Sequence, residues 1–342
     1  MDNTYFILSN KAIVIDRLHI CTWDFIGENA ALELGFEFMP NPYAEDIEII
    51  LSLPFLRQTD KVTFLMDALI LDDDNSKFIF NDTINANKAI NGDKRNGAIL
   101  EFKSRNNLSV LPIKQIDVKD GVCSFAINRI NQSIKNYVRL YIQTSVKNLA
   151  IVNKGIAKTA YIYDIKINEN RNLPNHIYDL LNNGYFLCND VKSCFCFHVI
   201  PSQYSISYLN TSKLRNIRIL ESEGFNHYLP NTRKIRPNEF LIIFNKSEKS
   251  TDGSYTFFSE FEEETIGNKQ IMLAIATNLI CSLLFGISSL RSWHMGVEWY
   301  NKLPWEFWTA ILLLLSFVAY LFIPWQEIVI WIKNKFKKWK HY

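Results

Sequence analysis

The chain has 342 residues, which is enough for one large domain or two of medium size with a substantial core. Its charge is divided unevenly, since residues 1–268 hold 29 of the 37 cations and 32 of the 35 anions, a net charge of −3. This mildly acidic balance lacks the basic footprint of a nucleic-acid-binding protein. We therefore do not expect nucleic acid as a partner.

Neither the cysteines nor the N-terminus indicates secretion. The six cysteines show no paired spacing, and residues 1–5 lack the basic and apolar regions of a signal peptide. We therefore expect residues 1–265 to lie in the cytosol with their thiols reduced.

Short runs with period-two alternation, rich in β-branched and aromatic residues, dominate residues 1–265. The predicted strands are Tyr5–Leu8, Ala12–Leu18, Glu33–Met39, Asp46–Ser52, Val62–Leu69, Lys77–Asn81, Ile99–Lys103, Val122–Ala126, Val138–Thr144, Ala160–Ile167, Cys194–Ile200, Ser205–Tyr208, Glu239–Phe244 and Tyr255–Phe261. Many short strands joined by long loops indicate a mainly β soluble domain of the antiparallel β-sandwich type.

One helix is predicted in this region, at Asn175–Leu181 directly after Pro174. This helix could mark a boundary within the β region, and two arrangements are compatible with it. Residues 1–170 form one β-rich cytosolic module, and residues 171–265 form either a second β-rich module or a continuation of the first.

No sequence motif in the soluble region indicates catalysis. The acidic run Asp72–Asn75 lacks the spacing of a calcium loop, and we interpret it as a solvated hairpin turn. Nucleophile-elbow, P-loop, dinucleotide-binding and zinc-protease motifs are all missing from the sequence. We therefore expect a protein that is not an enzyme, with no catalytic residues and no cofactor.

The cluster of Cys188, Cys194, Cys196 and His198 has the residue types of a metal site. In a strand, the last three fall on one face, but ligands two residues apart diverge along a straight strand and lack the paired spacing of zinc knuckles. Free cysteine is also a common core residue. We expect no metal here and interpret the segment as a central strand buried on both faces.

Two basic segments lie near tyrosines and form the best candidate for a binding site. Arg215 and Arg218 belong to the first segment and Arg233 and Arg236 to the second, with Tyr208 close in sequence. Arginine with an aromatic side chain suits an anionic or nucleotide-like ligand. The same residues also fit a solvated face without a ligand.

Two apolar segments near the C-terminus are each long enough to cross a bilayer. The first, residues 271–290, contains no charge, and the second, residues 305–323, has Trp305 and Trp308 at interface depth. They predict a C-terminal hairpin of two transmembrane helices, although a buried hairpin of a soluble protein is the alternative.

Lysines after the second span predict the orientation of the hairpin. Five lie in residues 333–340, and lysines near a span end mark the cytoplasmic side. We therefore expect a two-span protein of the cell inner membrane with both termini in the cytoplasm. Residues 325–342 also fit a basic amphipathic cytoplasmic tail on the anionic leaflet, or a continuation of the second span.

Small and polar residues recur along one face of the first span, at Ala274, Asn278, Ser282 and Gly286, and the second span has Thr309 and Ser316. Small residues let helices approach closely, and a polar side chain adds a hydrogen bond within the membrane. The first-span face either packs against the second span of the same chain or mediates self-association between hairpins.

A cytosolic β domain on a two-helix hairpin resembles the membrane effectors of bacterial anti-phage systems. The resemblance implies a sensor and effector whose β domain responds to a ligand or protein partner and whose hairpin oligomerises to perturb the inner membrane. The alternative is a membrane-tethered scaffold or accessory subunit that binds another protein through its β domain.

Overall fold

The computed structural model describes residues 4–25, 29–39, 46–128, 130–155, 157–229, 234–249, 253–265, 267–295 and 305–322. The chain divides into two compact units, Met1–Glu263 and Glu264–Tyr342. The predicted tail, residues 325–342, and Ile323 at the end of the predicted second span lie outside the described residues.

The first unit is mainly β, as predicted. Its strands are β1 (Thr4–Ser9), β2 (Ile15–Asp24), β3 (Asn29–Phe38), β4 (Asp46–Ser52), β5 (Val62–Phe64), β6 (Ile84–Ala89), β7 (Ala98–Phe102), β8 (Leu108–Val110), β9 (Ile113–Lys119), β10 (Val122–Asn128), β11 (Lys135–Ser145), β12 (Ile151–Lys154), β13 (Lys158–Ile167), β14 (Phe186–Leu187), β15 (Val191–Pro201), β16 (Ser205–Leu209), β17 (Leu214–Ile219), β18 (Phe240–Ser247) and β19 (Tyr255–Glu264). The α-helices are α1 (Met66–Ile70), α2 (Asp73–Phe80), α3 (Val146–Leu149), α4 (Asn175–Asn182), α5 (Ser222–Tyr228), α6 (Asn268–Met295) and α7 (Trp305–Phe322).

These strands form two sheets. The first runs in the order β16-β19-β13-β1-β4-β10-β9, with β12 also paired to β13 and β14 to β1. The second runs in the order β17-β18-β15-β2-β3-β11-β8-β7-β6, with β5 also paired to β11. Strands from before and after residue 170 share both sheets, so the described part of this unit does not separate into two modules at that point.

The predicted antiparallel β-sandwich type is confirmed only as a mainly β domain, because both sheets are mixed. The pairs β1–β13, β2–β15 and β8–β11 are parallel. Parallel neighbours require long crossover connections, whereas alternation within each strand is the same for either direction. The sequence pattern therefore predicts the strands without predicting their relative directions.

The main core lies between the two sheets and contains apolar side chains from both. Phe36 on β3 meets Phe125 on β10 with ring centroids 6.2 Å apart, and Tyr163 on β13 meets His198 on β15 at 5.0 Å. Helices α4 and α5 cover outer faces of the two sheets. Ile177 of α4 packs on the first sheet, and Phe225 of α5 belongs to a cluster on the second.

Two predicted strands are helical in the structure. The prediction for Val62–Leu69 holds only for the short strand β5, since α1 begins at Met66, and Lys77–Asn81 lies at the end of α2. Asp72 caps α2 by accepting a hydrogen bond from the Asp74 amide at 2.9 Å, so the acidic run begins a helix and is not a hairpin turn.

Two buried polar side chains of α2 form hydrogen bonds with the backbone of α1 and hold the two helices together. Asn75 donates to the Ala68 carbonyl at 2.8 Å, and Ser76 donates to the Leu69 carbonyl at 2.5 Å. These bonds satisfy carbonyls at the C-terminal end of α1 that have no partner within that helix. Period-two alternation in a short segment cannot reveal such contacts.

Within the described residues of the second unit, one helix is long and apolar enough to span a membrane. Residues 270–287 of α6 have a mean hydropathy of 2.0, and only 6% of them are buried. A 28-residue helix is about 42 Å long at 1.5 Å per residue, which exceeds the thickness of the hydrocarbon core. The prediction of a second span and of a defined topology goes beyond this finding.

Candidate functional site

An open cavity of about 490 Å³ lies on the outer face of the second sheet. Five arginines from distant parts of the sequence line it: Arg17, Arg105, Arg139, Arg215 and Arg218. None of its described lining residues is acidic. Its volume is within the range of small-molecule sites, about 300–1,000 Å³. We refer to it below as the arginine cavity.

Strand alternation positions the floor of the arginine cavity. On β2, Leu18 and Ile20 face the main core, so Arg17 and His19 face outward. On β15, Cys194 and Cys196 face the main core in the same way, and the phenylalanines between and after them line the cavity. The parallel register of β2 and β15 then brings His19 beside Phe195 and Cys21 beside Phe197.

Aromatic rings cover this floor. The rings of Phe197 and Phe244 stack face to face with centroids 4.7 Å apart and an angle of 1° between their planes. Phe195 lies 5.5 Å from Phe244 and 5.5 Å from His19. The floor is therefore an aromatic surface, and aromatic surfaces favour offset or edge-to-face contact with a planar ring.

Two of the five arginines are held by buried carboxylates. Arg105 pairs with Glu37 at 2.6 Å and lies over the Phe80 and Phe102 rings, at 5.2 and 4.9 Å from their centroids. Arg139 donates through Nε to Glu33 at 2.7 Å, with side chains that are only 7% and 0% exposed. These two cations are neutralised within the fold.

The Glu33 carboxylate is the centre of a buried network. Besides Arg139, it accepts hydrogen bonds from Trp23 Nε1 at 2.8 Å and from the Tyr228 hydroxyl at 3.1 Å. Burial is the largest single effect and lowers the pKa of Arg139, but Glu33 together with Tyr137, Tyr228 and Cys21 outweighs burial and holds that pKa well above its usual value. Arg139 is therefore a permanently charged structural cation beneath the cavity.

The remaining three arginines are available to a ligand. Among the residues that the structure describes, Arg17 and Arg215 make no ion pair, and Arg218 is 3.8 Å from Glu221 with both side chains about half exposed. Exposed pairs of this kind contribute little, about 0–1 kcal/mol. The cavity thus presents an excess of positive charge at its mouth.

The positive charge affects His19 on the floor. Burial lowers its pKa well below the usual value, and the charges of Arg139, Arg17 and Arg105 lower it further. His19 is therefore neutral at physiological pH and acts as part of the aromatic floor. The arginine charges that contribute to this shift are the same ones that would attract an anion.

The structure divides the predicted binding residues. Arg215 and Arg218, on the edge strand β17, line the arginine cavity. Tyr208 is on β16 in the other sheet, where its ring is 5.5 Å from Phe258, and it does not join them. Arg236 is exposed and is not among the lining residues, and Arg233 lies outside the described residues.

Sequence reasoning missed Arg17, Arg105 and Arg139. They are far from Arg215 in sequence. The strand order β17-β18-β15-β2-β3-β11-β8-β7 places Arg17 on β2, Arg139 on β11 and Arg105 between β7 and β8 in the same sheet as Arg215 on β17. A local signal was present at Arg17 and His19, because these two polar residues alternate with Leu18 and Ile20, which places both on the face opposite the core.

The cysteine cluster belongs to the core. His198 accepts or donates a hydrogen bond with Thr22 at 2.8 Å and lies 3.6 Å from Cys196 Sγ. Burial lowers the pKa of His198 to about 3 and raises that of Cys188 to about 11. Among the described residues, no group of three His, Cys, Asp or Glu side chains converges as a metal site would require.

The predicted assembly face of α6, Ala274, Asn278, Ser282 and Gly286 (the seam), does not coincide with the residues of α6 that contact α7. The buried contact runs from Cys281 Sγ to the Ala310 carbonyl, 3.5 Å apart. Asn278, Ser282 and Gly286 are exposed, while Ala274 is half-buried. Within the described residues, the seam therefore does not pack as a whole against α7, and its role in self-association stays a prediction.

On α7, the two predicted assembly residues also differ in position. Thr309 is half-buried next to Ala310, whereas Ser316 is exposed. The Ser316 hydroxyl donates to the Leu312 carbonyl within the same helix, at 2.7 Å. Such a bond satisfies a hydroxyl in an apolar environment without a partner helix.

Comparisons with known proteins do not identify a family. No protein-family model matches the chain, and no curated protein matches it. One solved structure that matches weakly is an M1 zinc metallopeptidase mutant bound to a Tyr-Ser-Ala substrate, from Deinococcus radiodurans, with 8% identity and a TM-score of 0.30. The match covers 74% of this chain and 43% of that chain, and so low a TM-score carries no argument about activity.

Proposed function

We propose that this protein is a membrane-anchored, non-enzymatic sensor and effector. An anionic ligand binds in the arginine cavity, and the transmembrane hairpins of several copies then assemble and perturb the inner membrane. The observation that carries the proposal is the convergence of five arginines on an aromatic floor with no acidic residue among the described lining. In a bacterium, such a protein would act in anti-phage defence.

The charge balance of the cavity supports an anionic ligand. Glu37 and Glu33 neutralise Arg105 and Arg139, which leaves the charges of Arg17, Arg215 and Arg218 without a strong counterion. Like charges that converge in a partly enclosed site repel one another and raise the local concentration of anions. A bound anion would remove this repulsion.

The hairpin supports the effector part of the proposal. The exposed side chains of α6 are mostly large and apolar, and a surface of this kind is unfavourable in water but stable in a bilayer. We propose α7 as the second span, because its exposed residues include Leu312 and Leu315. The exposed Asn278 and Ser282 would then face another hairpin in the membrane.

The covalent connection between the units is short. Strand β19 ends at Glu264 and α6 begins at Asn268, so three residues separate them. A change in the β unit on ligand binding would therefore act on the start of α6. The same connection also fits a passive tether, and the experiment below distinguishes the two.

The test is a membrane-potential measurement on bacteria that express the full chain. We expect wild-type protein to depolarise the cells, and Asn278→Leu with Gly286→Leu to abolish depolarisation at an equal amount in the membrane fraction. Arg17→Ala with Arg215→Ala should weaken it, whereas Arg95→Ala, an exposed arginine outside the cavity, should behave as wild type.

Two results would overturn the proposal. Unchanged membrane potential with wild-type protein, both in resting cells and during phage infection as the source of the ligand, would exclude an effector that acts on the membrane. Normal depolarisation after replacement of the hairpin by an unrelated two-span anchor would exclude hairpin assembly and favour the membrane-tethered scaffold.

A further inference from the structure

The arginine cavity has an aromatic floor and a group of arginines at its edge. A ligand that contacts both must have a chemical group suited to each. The floor consists of aromatic side chains on β2, β15 and β18, whereas Arg215 and Arg218 lie on β17 at the edge of the same sheet. A ligand that uses both must carry a planar apolar part and a negatively charged part at a distance of a few ångströms.

The floor favours a planar ring over an aliphatic chain. Phe197 and Phe244 are stacked with centroids 4.7 Å apart, and neutral His19 extends the aromatic surface on the other side of Phe195. Aromatic rings and guanidinium planes both bind a nucleobase by stacking or edge-to-face contact, and they do so with little preference among bases.

The number of available cations constrains the charge. Arg105 and Arg139 are neutralised by Glu37 and Glu33, so Arg17, Arg215 and Arg218 remain for the ligand. Guanidinium groups bind phosphate oxygens with two parallel hydrogen bonds, a geometry that lysine cannot match. Two or three such groups match a ligand with at least two negative charges.

From this arrangement we propose that the ligand of the arginine cavity is a nucleotide with at least two phosphate charges. Its base lies on the floor formed by Phe195, Phe197 and Phe244, and its phosphates are bound by Arg17, Arg215 and Arg218. A cavity of about 490 Å³ has room for one nucleotide. The inference rests on the proposed function, because it names the ligand class of the same cavity.

The test is a calorimetric titration of the full chain in detergent with three kinds of probe. The probes are pyrophosphate, which has charge but no ring, adenosine, which has a ring but no charge, and the diphosphates ADP, GDP, CDP and UDP. We expect at least one nucleoside diphosphate to bind tenfold or more tightly than pyrophosphate, and adenosine to bind more weakly than either.

Matched variants separate the two surfaces. Arg215→Ala should weaken both pyrophosphate and the nucleoside diphosphate by tenfold or more. Phe197→Leu should weaken the nucleoside diphosphate and leave pyrophosphate unchanged, because it alters only the floor. Arg95→Ala should leave both affinities unchanged, since this exposed arginine lies outside the cavity lining.

The outcomes distinguish the proposal of a nucleotide ligand from the broader proposal of an anion-binding sensor. If pyrophosphate binds in an Arg215-dependent manner and no nucleoside diphosphate binds more tightly, the nucleotide inference is overturned and the anion-binding sensor stands. If neither pyrophosphate nor any nucleotide binds, both proposals are overturned. Binding that Arg215→Ala leaves intact would move the ligand to another site and would also overturn both.

Discussion

Glu33 and Arg139 form an ion pair that is almost completely removed from solvent, directly beneath the arginine cavity. Arg139 Nε donates to Glu33 Oε2 at 2.7 Å, and the side chains of Arg139 and Glu33 are 7% and 0% exposed. The pair fixes one of the five cavity arginines and, through Trp23 and Tyr228, connects the sheet to α5. Stability of the cavity therefore depends on charges that a ligand does not touch.

Glu33→Gln should strongly destabilise the protein. The amide removes the negative charge and leaves Arg139 buried without a counterion, and breaking a buried pair in this way costs about 3–5 kcal/mol. Chemical denaturation of the detergent-solubilised chain, followed by tryptophan fluorescence, measures this change. Lys88→Ala, which breaks the exposed pair with Glu101, should cost less than about 1 kcal/mol. Equal losses for the two variants would contradict the assignment.

Gly35→Ala should destabilise the protein by a steric clash with Tyr137, which is a neighbour of Arg139 in the same buried network. A Cβ at position 35 would lie 2.5 Å from the Tyr137 hydroxyl oxygen, which accepts a hydrogen bond from Arg139 at 3.0 Å. Displacing that buried ring should cost about 1–3 kcal/mol. The same substitution in a Tyr137→Phe background should cost less, because the clashing oxygen is gone. A double-mutant cycle without coupling would show that the contact has no such role.

Asp24 should make stability depend on pH. Burial raises its pKa to about 7, and the charge of Glu263 raises it too, while the polar hydroxyls of Tyr204 and Tyr163 act in the opposite direction. The folded state then retains a proton that the unfolded state releases near pH 4, so stability falls as the pH rises from about 4 to 7. The linked free energy is of order 4 kcal/mol, since one pK unit corresponds to ~1.4 kcal/mol.

Melting temperatures of wild type and Asp24→Asn at pH 5 and pH 8 measure this linkage. The neutral amide should remove most of the loss between these pH values and raise the melting temperature at pH 8. Asp117→Asn, on an exposed part of β9, serves as the control and should keep the wild-type pH profile. A steep wild-type profile that survives in Asp24→Asn would assign the pH dependence to other groups.

Glu221→Gln should strengthen anion binding. Glu221 is 3.8 Å from Arg218 and competes with an anion for that guanidinium group. Exposed pairs contribute up to about 1 kcal/mol, which corresponds to an affinity for pyrophosphate about two to five times higher in the variant. Titration at low ionic strength measures the effect, and Glu101→Gln, which is paired with Lys88, provides the matched control. Weaker binding to Glu221→Gln would exclude this competition.

Local patterns predicted most of the secondary structure. Alternation predicted β4 at the bounds that the structure has, Asp46–Ser52, and the segment after Pro174 forms α4. It missed β6, β8, β9, β12, β14 and β17, and it predicted strand at α1 and α2, where the segments are short and polar residues are buried. Ser76 is 0% exposed and stabilises the end of α1, a role that no residue pattern within α2 indicates.

The candidate site was only partly predictable for a different reason. Arg215 and Arg218 belong to one short segment, so their proximity was evident from sequence alone. Arg17 and Arg139 reach the same cavity because β2 lies between β15 and β3, and β3 in turn pairs with β11. Strand order and direction depend on packing across the whole sheet, which single-segment patterns do not contain.

The sequence by itself determined that residues 1–265 are rich in β-strands and that an apolar segment after them can form a membrane-spanning helix. Both follow from side-chain periodicity and length, which are local properties. Only the tertiary structure decided that the sheets are mixed, that Tyr208 lies apart from Arg215, and that five arginines share one cavity. These features depend on long-range pairing, in which residues far apart in the chain become neighbours because burying their strands together is favourable.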